Sequence, residues 1–141
     1  MNATKRLWSV GLATLVATAG LSMSTGRAHA DDPVFHQVTY TISTKNPIYA
    51  DIYYQDQDPT VFSDYSHNNY TFTPQVHADI APGKPWVQVV PLIDPNQWAM
   101  VTATAGREPG SPQFHCDLAV DGVVVVSKDG PRGVLCSLRS W

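Results

Sequence analysis

Few side chains in this sequence have the type and spacing that catalysis requires. Ser111 lies in Gly110-Ser111-Pro112, which lacks the G-x-S-x-G pattern of a nucleophile elbow, so we interpret it as a loop residue. Cys116 directly follows His115. Neighbouring residues of a strand point to opposite faces, so this thiol and this imidazole would not meet. The sequence therefore predicts no catalytic residue and a protein that is not an enzyme.

Metal binding is not indicated by the histidines or by the paired acidic residues. The histidines that follow the first 30 residues show no H-x-x-x-H or similar spacing; they are His36, His67, His77 and His115. Asp56-Gln57-Asp58 is followed by Pro59-Thr60 and lacks the glycine and the distal glutamate of a calcium loop. We predict no metal and no cofactor.

The amino terminus has the pattern of an export signal. Lys5 and Arg6 precede an uncharged run over residues 7–23, and Ala28-His29-Ala30 forms a small-x-small cleavage site. This predicts a signal-peptide helix over residues 1–30, cleaved between Ala30 and Asp31. An uncleaved membrane anchor is the alternative, because the run approaches the ~20 residues that a spanning helix needs. Either way the remainder is predicted to be extracytoplasmic, in the cell envelope or secreted.

Residues 31–141 are predicted to form one domain with a soluble, acidic surface. They carry six Lys and Arg against twelve Asp and Glu, a formal net charge of −6. Nucleic acids and anionic lipids call for clustered Lys and Arg, so neither is predicted as the main partner. An exported chain meets an oxidising compartment, which favours a structural disulfide between Cys116 and Cys136 over a catalytic or metal-bound pair.

Short runs of alternating apolar and polar residues predict an all-β fold. Turn residues separate these runs, and Asp121-Gly122 is a strong β-hairpin signal between two of them. The strands are predicted near residues 38–43, 48–54, 70–73, 75–80, 86–93, 98–105, 116–120, 123–127 and 134–139. These seven to nine short runs favour a small antiparallel β-sandwich of immunoglobulin-like architecture, in which about seven strands form the sheets, with one disulfide.

Residues 55–84 differ in character from the strands around them, because acidic and aromatic side chains alternate there with prolines. A structureless loop of this length would be unusual inside a small domain. The segment is therefore expected either to fold against a sheet or to serve recognition. Asp94-Pro95-Asn96 is interpreted as a turn.

Five short motifs, in order, resemble the mycobacterial small membrane protein (MmpS) family. They are His36-Gln37-Val38-Thr39-Tyr40, Ala50-Asp51-Ile52-Tyr53-Tyr54 with Asp56, Pro85-Trp86, Cys116-x-x-x-Val120-Asp121-Gly122-x-Val124, and Cys136. The resemblance implies a disulfide-bearing β-sandwich. It also implies an accessory role beside a resistance-nodulation-division (RND) transporter of the MmpL type, which exports lipids or siderophores, and it transfers no catalytic residue.

Exposed aromatic residues are the candidate partner contacts. Tyr53, Tyr65, Tyr70 and Trp98 could supply rigid contact area to a transporter or an apolar cargo. The alternative is that Trp86 and Trp98 fill the sandwich core.

Three functions remain open at the level of the sequence. The first is the transporter accessory. The second is a freely secreted module that binds a cell-wall component or a host protein through residues 55–84. The third is a small hydrolase that uses His77 or Asp79. The sequence indicates no oligomeric state.

Overall fold

Alternating side chains build two antiparallel sheets that pack face to face. A computed structural model describes residues 32–140. In the first strand Val38, Tyr40 and Ile42 are fully buried, while the residues between them point outward. The predicted all-β sandwich is confirmed, with eight strands in the described part of the chain. The strands are β1 His36–Thr44, β2 Ile48–Tyr54, β3 Gln75–Ile80, β4 Trp86–Leu92, β5 Met100–Thr104, β6 Phe114–Val120, β7 Val123–Gly130 and β8 Gly133–Ser137.

The strands divide equally between two sheets. Sheet A has the order β4-β1-β6-β7, and sheet B has the order β3-β2-β5-β8. The core lies between them and contains the inward side chains of both, including Ile52 and Leu118. Over residues 32–140, no helix is long and apolar enough to cross a membrane. The predicted signal peptide and its cleavage site at Ala30 and Asp31 lie outside the described residues.

The predicted hairpin joins β6 to β7. Asp121 and Gly122 both have positive φ angles, 51° and 86°, as this tight turn requires. The turn is also fixed to β1, because the Asp121 carboxylate accepts the backbone N–H of Gln37 at 2.9 Å and lies 2.7 Å from His36 Nδ1. The His36 contact, followed by the Gln37 N–H, lowers the pKa of Asp121.

The disulfide predicted between the two cysteines is present. It joins Cys116 in β6 of sheet A to Cys136 in β8 of sheet B, with 6.2 Å between the Cα atoms. Both residues are fully buried in the core. The bond therefore connects the two layers of the sandwich as well as two segments of the chain.

Residues 55–84 fold against the sandwich, one of the two outcomes expected. Gln55 is fully buried: its backbone oxygen accepts the Tyr40 hydroxyl at 2.7 Å, and its side-chain oxygen accepts Thr73 Oγ1 at 2.9 Å. Further along, the Asp58 carboxylate accepts the backbone N–H groups of Ile93 and Asp94 at 2.7 and 2.8 Å. The contacts of Tyr40 and Asp58 hold the segment to β1 and to the chain just after β4, and the contact between Gln55 and Thr73 closes the segment on itself.

The strand predicted over residues 70–73 is wrong. Two short helices occur in this region, α1 Phe62–His67 and α2 Asn69–Phe72, and residues 70–72 lie in α2. The N–H of Thr73 donates to the Asn69 oxygen at 2.9 Å, which closes a helical turn. The Phe72 oxygen accepts the N–H of Asp56 instead of pairing with a strand. A tertiary contact thus decides the conformation of a sequence that alternates like a strand.

The Asp94-Pro95-Asn96 turn opens a third helix, α3 Pro95–Trp98, so the following strand starts at Met100 rather than at Trp98. Asp94 caps this helix, since its side chain accepts the Gln97 N–H at 3.3 Å. Proline at the first helical position suits this arrangement, because its missing N–H would have no partner there. Trp98 consequently belongs to a helix end that closes the core.

Candidate functional site

The strand histidines lie within hydrogen-bonding distance of aspartates. In this way each imidazole is held on the surface by a carboxylate. The distances are 2.7 Å for His36 Nδ1 to Asp121, 2.5 Å for His77 Nε2 to Asp51, 2.9 Å for His115 Nε2 to Asp117, and 2.7 Å for His115 Nδ1 to Asp129. The fourth described histidine, His67, instead contacts the Ser63 backbone oxygen at 2.7 Å.

His115 lies between two carboxylates. A neutral imidazole donates through only one nitrogen, whereas carboxylates only accept, so the doubly protonated ring satisfies both contacts. The hydrogen bond to Asp129 raises the pKa of His115, burial opposes this, and the hydrogen bond to Asp117 adds to the rise. His115 is therefore protonated more readily than an ordinary histidine, on the surface where β6 pairs with β7.

This geometry gives a stability that depends on pH. The pKa of His115 is higher in the folded chain than its ordinary value of 6.5, so the pairing stabilises fully below that value. The stabilisation is lost as the pH rises through the folded-state pKa. Because the His115 side chain is 39% exposed and that of Asp129 is 82% exposed, we expect this pair to contribute less than about 1 kcal/mol to the free energy of unfolding. The destabilisation caused by Asp129→Asn should shrink between about pH 6 and about pH 9.

The measurement is urea unfolding of both proteins at each pH. Asp79→Asn is the matched control, because Asp79 is exposed on β3 and lies outside the histidine pairs. It removes the same charge and should show no comparable pH trend. An Asp129→Asn effect that stays constant, or grows, as the pH rises would contradict the pairing.

A polar cleft lies on the outer face of sheet B, at the end where β2, β3 and the loop after β5 meet. We call it the His77 cleft. Its volume is about 490 Å³, and its lining residues are Tyr49, Asp51, His77, Ala105, Gly106, Arg107 and Glu108. Strand pairing explains how it is assembled, since Asp51 of β2 is opposite both His77 of β3 and Thr104 of β5. Side chains from three separate stretches of the chain thus converge.

An aromatic wall forms one side of the His77 cleft. The Tyr49 and His77 rings are stacked, with centroids 5.4 Å apart and planes 17° apart. Tyr49 is 51% exposed, so a large part of its ring remains accessible. The Asp51 carboxylate orients the His77 ring, with Asp51 Oδ1 at 2.5 Å from His77 Nε2. The wall is thus fixed before any ligand arrives.

Gly106 also lines the His77 cleft, next to Asp51. It has a φ angle of 58°, and a Cβ at this position would lie 3.1 Å from Asp51 Oδ2. Gly106→Ala is expected to destabilise the fold by about 1–2 kcal/mol through its backbone conformation. A further loss should come from displacing Asp51. Urea unfolding and the NMR shifts of His77 measure the two effects.

Gly83→Ala is the control for this prediction. Gly83 also has a positive φ angle, 77°, but a Cβ there would meet nothing within 4 Å. The change in unfolded-state entropy is the same for both substitutions and cancels in the comparison. Equal destabilisation by the two variants, with His77 shifts unchanged in Gly106→Ala, would show that the contact with Asp51 does not matter.

Two of the four predicted aromatic contacts lie together. Tyr65 of α1 and Trp98 have ring centroids 5.4 Å apart, Phe62 stacks on Trp98 at 6.3 Å, and the Arg139 guanidinium lies 5.3 Å from the Trp98 ring centre. Trp98 is only 6% exposed and belongs to the core. It therefore supports Phe62 and Tyr65 rather than presenting its own ring.

The other two predicted contacts lie apart from this cluster. Tyr53 is half-buried on the outer face of sheet B, two residues along β2 from Asp51 of the His77 cleft. Tyr70 is 73% exposed on α2. Trp86, the second residue considered for the core, is half-buried and packs against Tyr54 at 5.4 Å. The structure thus spreads the four predicted residues over three regions.

The candidate catalytic and metal-binding residues of the sequence have structural partners. Ser111 Oγ donates to the Pro131 oxygen at 3.2 Å within a loop. Cys116 points into the core and His115 points out, as alternation predicts. Both Asp58 oxygens accept backbone N–H groups. In the described part of the chain, no group of three or more His, Cys, Asp or Glu residues converges as a metal site would.

Comparison with known proteins defines the family. A family model described as the "Rv2576c beta-sandwich domain" matches residues 40–136. The chain belongs to this family. It is 41% identical over 133 residues to the uncharacterized protein Rv2576c of Mycobacterium tuberculosis (strain ATCC 25618 / H37Rv), an alignment that covers 94% of this chain and 85% of the relative. The uncharacterized protein Mb2606c of Mycobacterium bovis matches equally well.

The Rv2576c beta-sandwich match includes the strands that build the His77 cleft and both cysteines. Sequence reasoning missed this cleft, although one signal was available. Alternation along β2 puts Tyr49, Asp51 and Tyr53 on one face, opposite the buried Ala50 and Ile52. What alternation could not supply is the register between β2 and β3, which brings His77 to Asp51.

Proposed function

We propose that this chain is an exported, non-enzymatic binding module of the cell envelope. The observation that supports this most is the His77 cleft, an open concave surface lined by charged and aromatic side chains on a rigid sheet. Clefts of about this volume serve small-molecule ligands in many proteins. Residues on paired strands hold such a surface more precisely than loop residues do.

Catalysis is the less favoured use of the same surface. His77 and Asp51 form a pair that resembles a general base with its orienting carboxylate. Nucleophilic catalysis also needs a hydroxyl or thiol within reach of the base. Among the described residues that line the His77 cleft, only Tyr49 carries a hydroxyl, and its ring stacks on His77 with the two planes 17° apart. Binding, without a covalent step, fits this set of side chains better.

Export is part of the proposal and rests on two features. The first is the signal-like pattern of residues 1–30. The second is the fully buried disulfide, since such bonds form and persist in oxidising compartments. The test is the amino-terminal residue of the protein recovered from cells and from culture filtrate. Asp31 at that terminus supports release after cleavage, whereas an intact Met1 in the membrane fraction supports an anchored form. Recovery from the cytosol alone would contradict export.

Binding to the envelope is tested by co-sedimentation of the purified protein with an insoluble mycobacterial cell-wall preparation. We expect saturable retention that falls when the cleft variant Asp51→Asn is used. Asp64→Asn serves as the control, because it removes the same charge from an exposed residue of α1 that does not line the cleft. If the wild-type protein stays in the supernatant at every concentration, binding to the wall is excluded.

A role like that of the MmpS family is the second candidate. Its support is an exposed apolar strip on sheet A, which we call the β4 strip. Val87 and Val89 are 52% and 46% exposed, and Phe35, Val89 and Pro91 line a groove of about 250 Å³. Exposed apolar surface of this kind suits contact with a transporter or with an apolar cargo.

This second candidate is tested by crosslinking in membranes followed by affinity capture. Recovery of an RND-type transporter, lost with Val87→Asp and Val89→Asp together, supports it. The deletion strain should also export less of one envelope lipid or siderophore. Unchanged export and no transporter among the captured proteins would contradict it.

A further inference from the structure

We propose that the His77 cleft binds a neutral saccharide, with one sugar ring against the Tyr49–His77 stack and its hydroxyl groups held by Asp51, Arg107 and Glu108. This inference rests on the proposed function, because it names the class of ligand that the binding module takes. Four properties of the cleft support it: charge balance, hydrogen-bonding capacity, the aromatic wall and rigidity.

Charge balance argues for a neutral ligand. The residues that line the cleft include two with acidic side chains, Asp51 and Glu108, and one with a guanidinium, Arg107, beside the imidazole of His77. An anionic ligand would face two carboxylates, and a cationic ligand would face Arg107. A molecule without formal charge avoids both penalties and can still use every polar group.

Hydrogen-bonding capacity argues for a ligand with many hydroxyl groups. Carboxylates only accept hydrogen bonds, and a guanidinium only donates them. A hydroxyl group does both, so adjacent sugar hydroxyls can donate to Asp51 or Glu108 and accept from Arg107. Hydrogen bonds to charged groups are stronger than those between neutral groups. A purely apolar ligand would cover these polar groups without forming hydrogen bonds to them.

The aromatic wall argues for a ring-shaped ligand. Aromatic faces carry partial negative charge, which attracts the polarised C–H groups on one face of a sugar ring. Tyr49 is half-exposed and its plane is fixed by stacking on His77, 17° from parallel. Tyr53 lies on the same face of β2 and could extend the contact to a second ring.

Rigidity reduces the entropic cost of binding a flexible, hydrated ligand. Asp51 contacts His77 at 2.5 Å and approaches Gly106 so closely that a Cβ there would lie 3.1 Å from its Oδ2 atom. Gly106 is held in turn by its N–H, which donates to Thr104 Oγ1 at 2.9 Å. The carboxylate that would receive the sugar hydroxyls is therefore already in place.

The test is titration of the purified protein with soluble neutral oligosaccharides of hexoses and pentoses, followed by NMR and calorimetry. Inorganic phosphate, a sulfated oligosaccharide and a short apolar peptide are the competing probes. We expect saturable binding of at least one neutral oligosaccharide, with shifts centred on Tyr49, His77 and Gly106. Asp51→Asn and Tyr49→Ser should each weaken binding by roughly tenfold or more.

Two further variants keep this test decisive. Tyr49→Phe retains the ring and should bind within about threefold of wild type, which covers the case in which Tyr49→Ser does not fold. Tyr70→Ser removes an exposed tyrosine outside the cleft and should not change affinity. Equal affinity of wild type and Asp51→Asn would overturn the assignment, as would binding of phosphate or peptide in place of neutral sugars.

The two levels of the proposal fail separately. Retention on the cell wall without binding of any neutral oligosaccharide would overturn the saccharide inference and leave the binding module standing. Absence of retention on the wall, together with binding of a neutral oligosaccharide, would support the saccharide site and overturn only the proposed location of its ligand. Absence of both would overturn both.

Discussion

Replacing both cysteines, with Cys116→Ala and Cys136→Ala together, is expected to lower the free energy of unfolding by roughly 3 kcal/mol. The two residues are 20 positions apart, and cross-linking a loop of this length restricts the unfolded chain by about that amount. Both are fully buried, so the lost sulfur atoms add a packing term. The expected loss is large beside the ~5–15 kcal/mol that stabilises most small domains.

Urea unfolding of the oxidised protein, the reduced protein and the double variant separates these contributions. Reduction removes the cross-link but keeps both sulfur atoms, so it should account for most of the loss. The dependence on urea should become steeper without the bond, because the unfolded chain exposes more surface. Reduction that leaves the unfolding midpoint unchanged would contradict the expected role of the bond.

Burial of the disulfide also predicts how the native protein responds to reductant. Thiol–disulfide exchange requires an attacking thiolate to reach a sulfur atom, and neither cysteine is accessible in the folded chain. We expect reduction without denaturant to proceed only as fast as the sandwich opens. The measurement is mass spectrometry of the thiols that become alkylated over time. Rapid reduction of the folded protein would show that the bond is more accessible than the structure indicates.

Patterns local in sequence accounted for most of the sandwich. Alternation predicted β1 and β2 because Val38, Tyr40, Ile42 and Ile52 each face the core. Asp121-Gly122 predicted the hairpin because few residues tolerate positive φ angles. These features depend on one stretch of chain at a time. For the same reason they could not show that the disulfide connects one sheet to the other, which depends on how strands are distributed.

Contacts between residues distant in sequence determine the parts of the structure that local sequence patterns did not predict. Residues 69–72 alternate like a strand but form α2. The Asp56 N–H donates to the Phe72 oxygen, and Gln57 Nε2 donates to the Thr71 oxygen, so these oxygens are not available to a neighbouring strand. The His77 cleft has the same origin. One face of β2 was evident from alternation, but its meeting with His77 and residues 105–108 depends on strand register and on a loop.

Tyr40→Phe is expected to have the second large effect, a loss of about 1–3 kcal/mol in the free energy of unfolding. Tyr40 is fully buried; its hydroxyl donates to the Gln55 oxygen at 2.7 Å and accepts the Met100 N–H at 3.3 Å. Burial raises the pKa of Tyr40, so the hydroxyl stays protonated and able to donate. Phenylalanine keeps the ring in the core but lacks the hydroxyl, so the buried Gln55 oxygen and the buried Met100 N–H each lose this hydrogen-bond partner.

The consequences should reach residues 55–84, since Gln55 anchors that segment through Thr73 as well. Amide hydrogen exchange at Met100 and Thr73 is expected to rise in Tyr40→Phe, and urea unfolding gives the overall loss. Tyr53→Phe is the control, because Tyr53 is half-buried on the outer face of the same sandwich. A change below about 0.5 kcal/mol for Tyr40→Phe, equal to that of the control, would mean that water replaces the hydroxyl. The segment would then be held by Asp58, whose carboxylate binds the Ile93 and Asp94 N–H groups, rather than by the buried hydroxyl of β1.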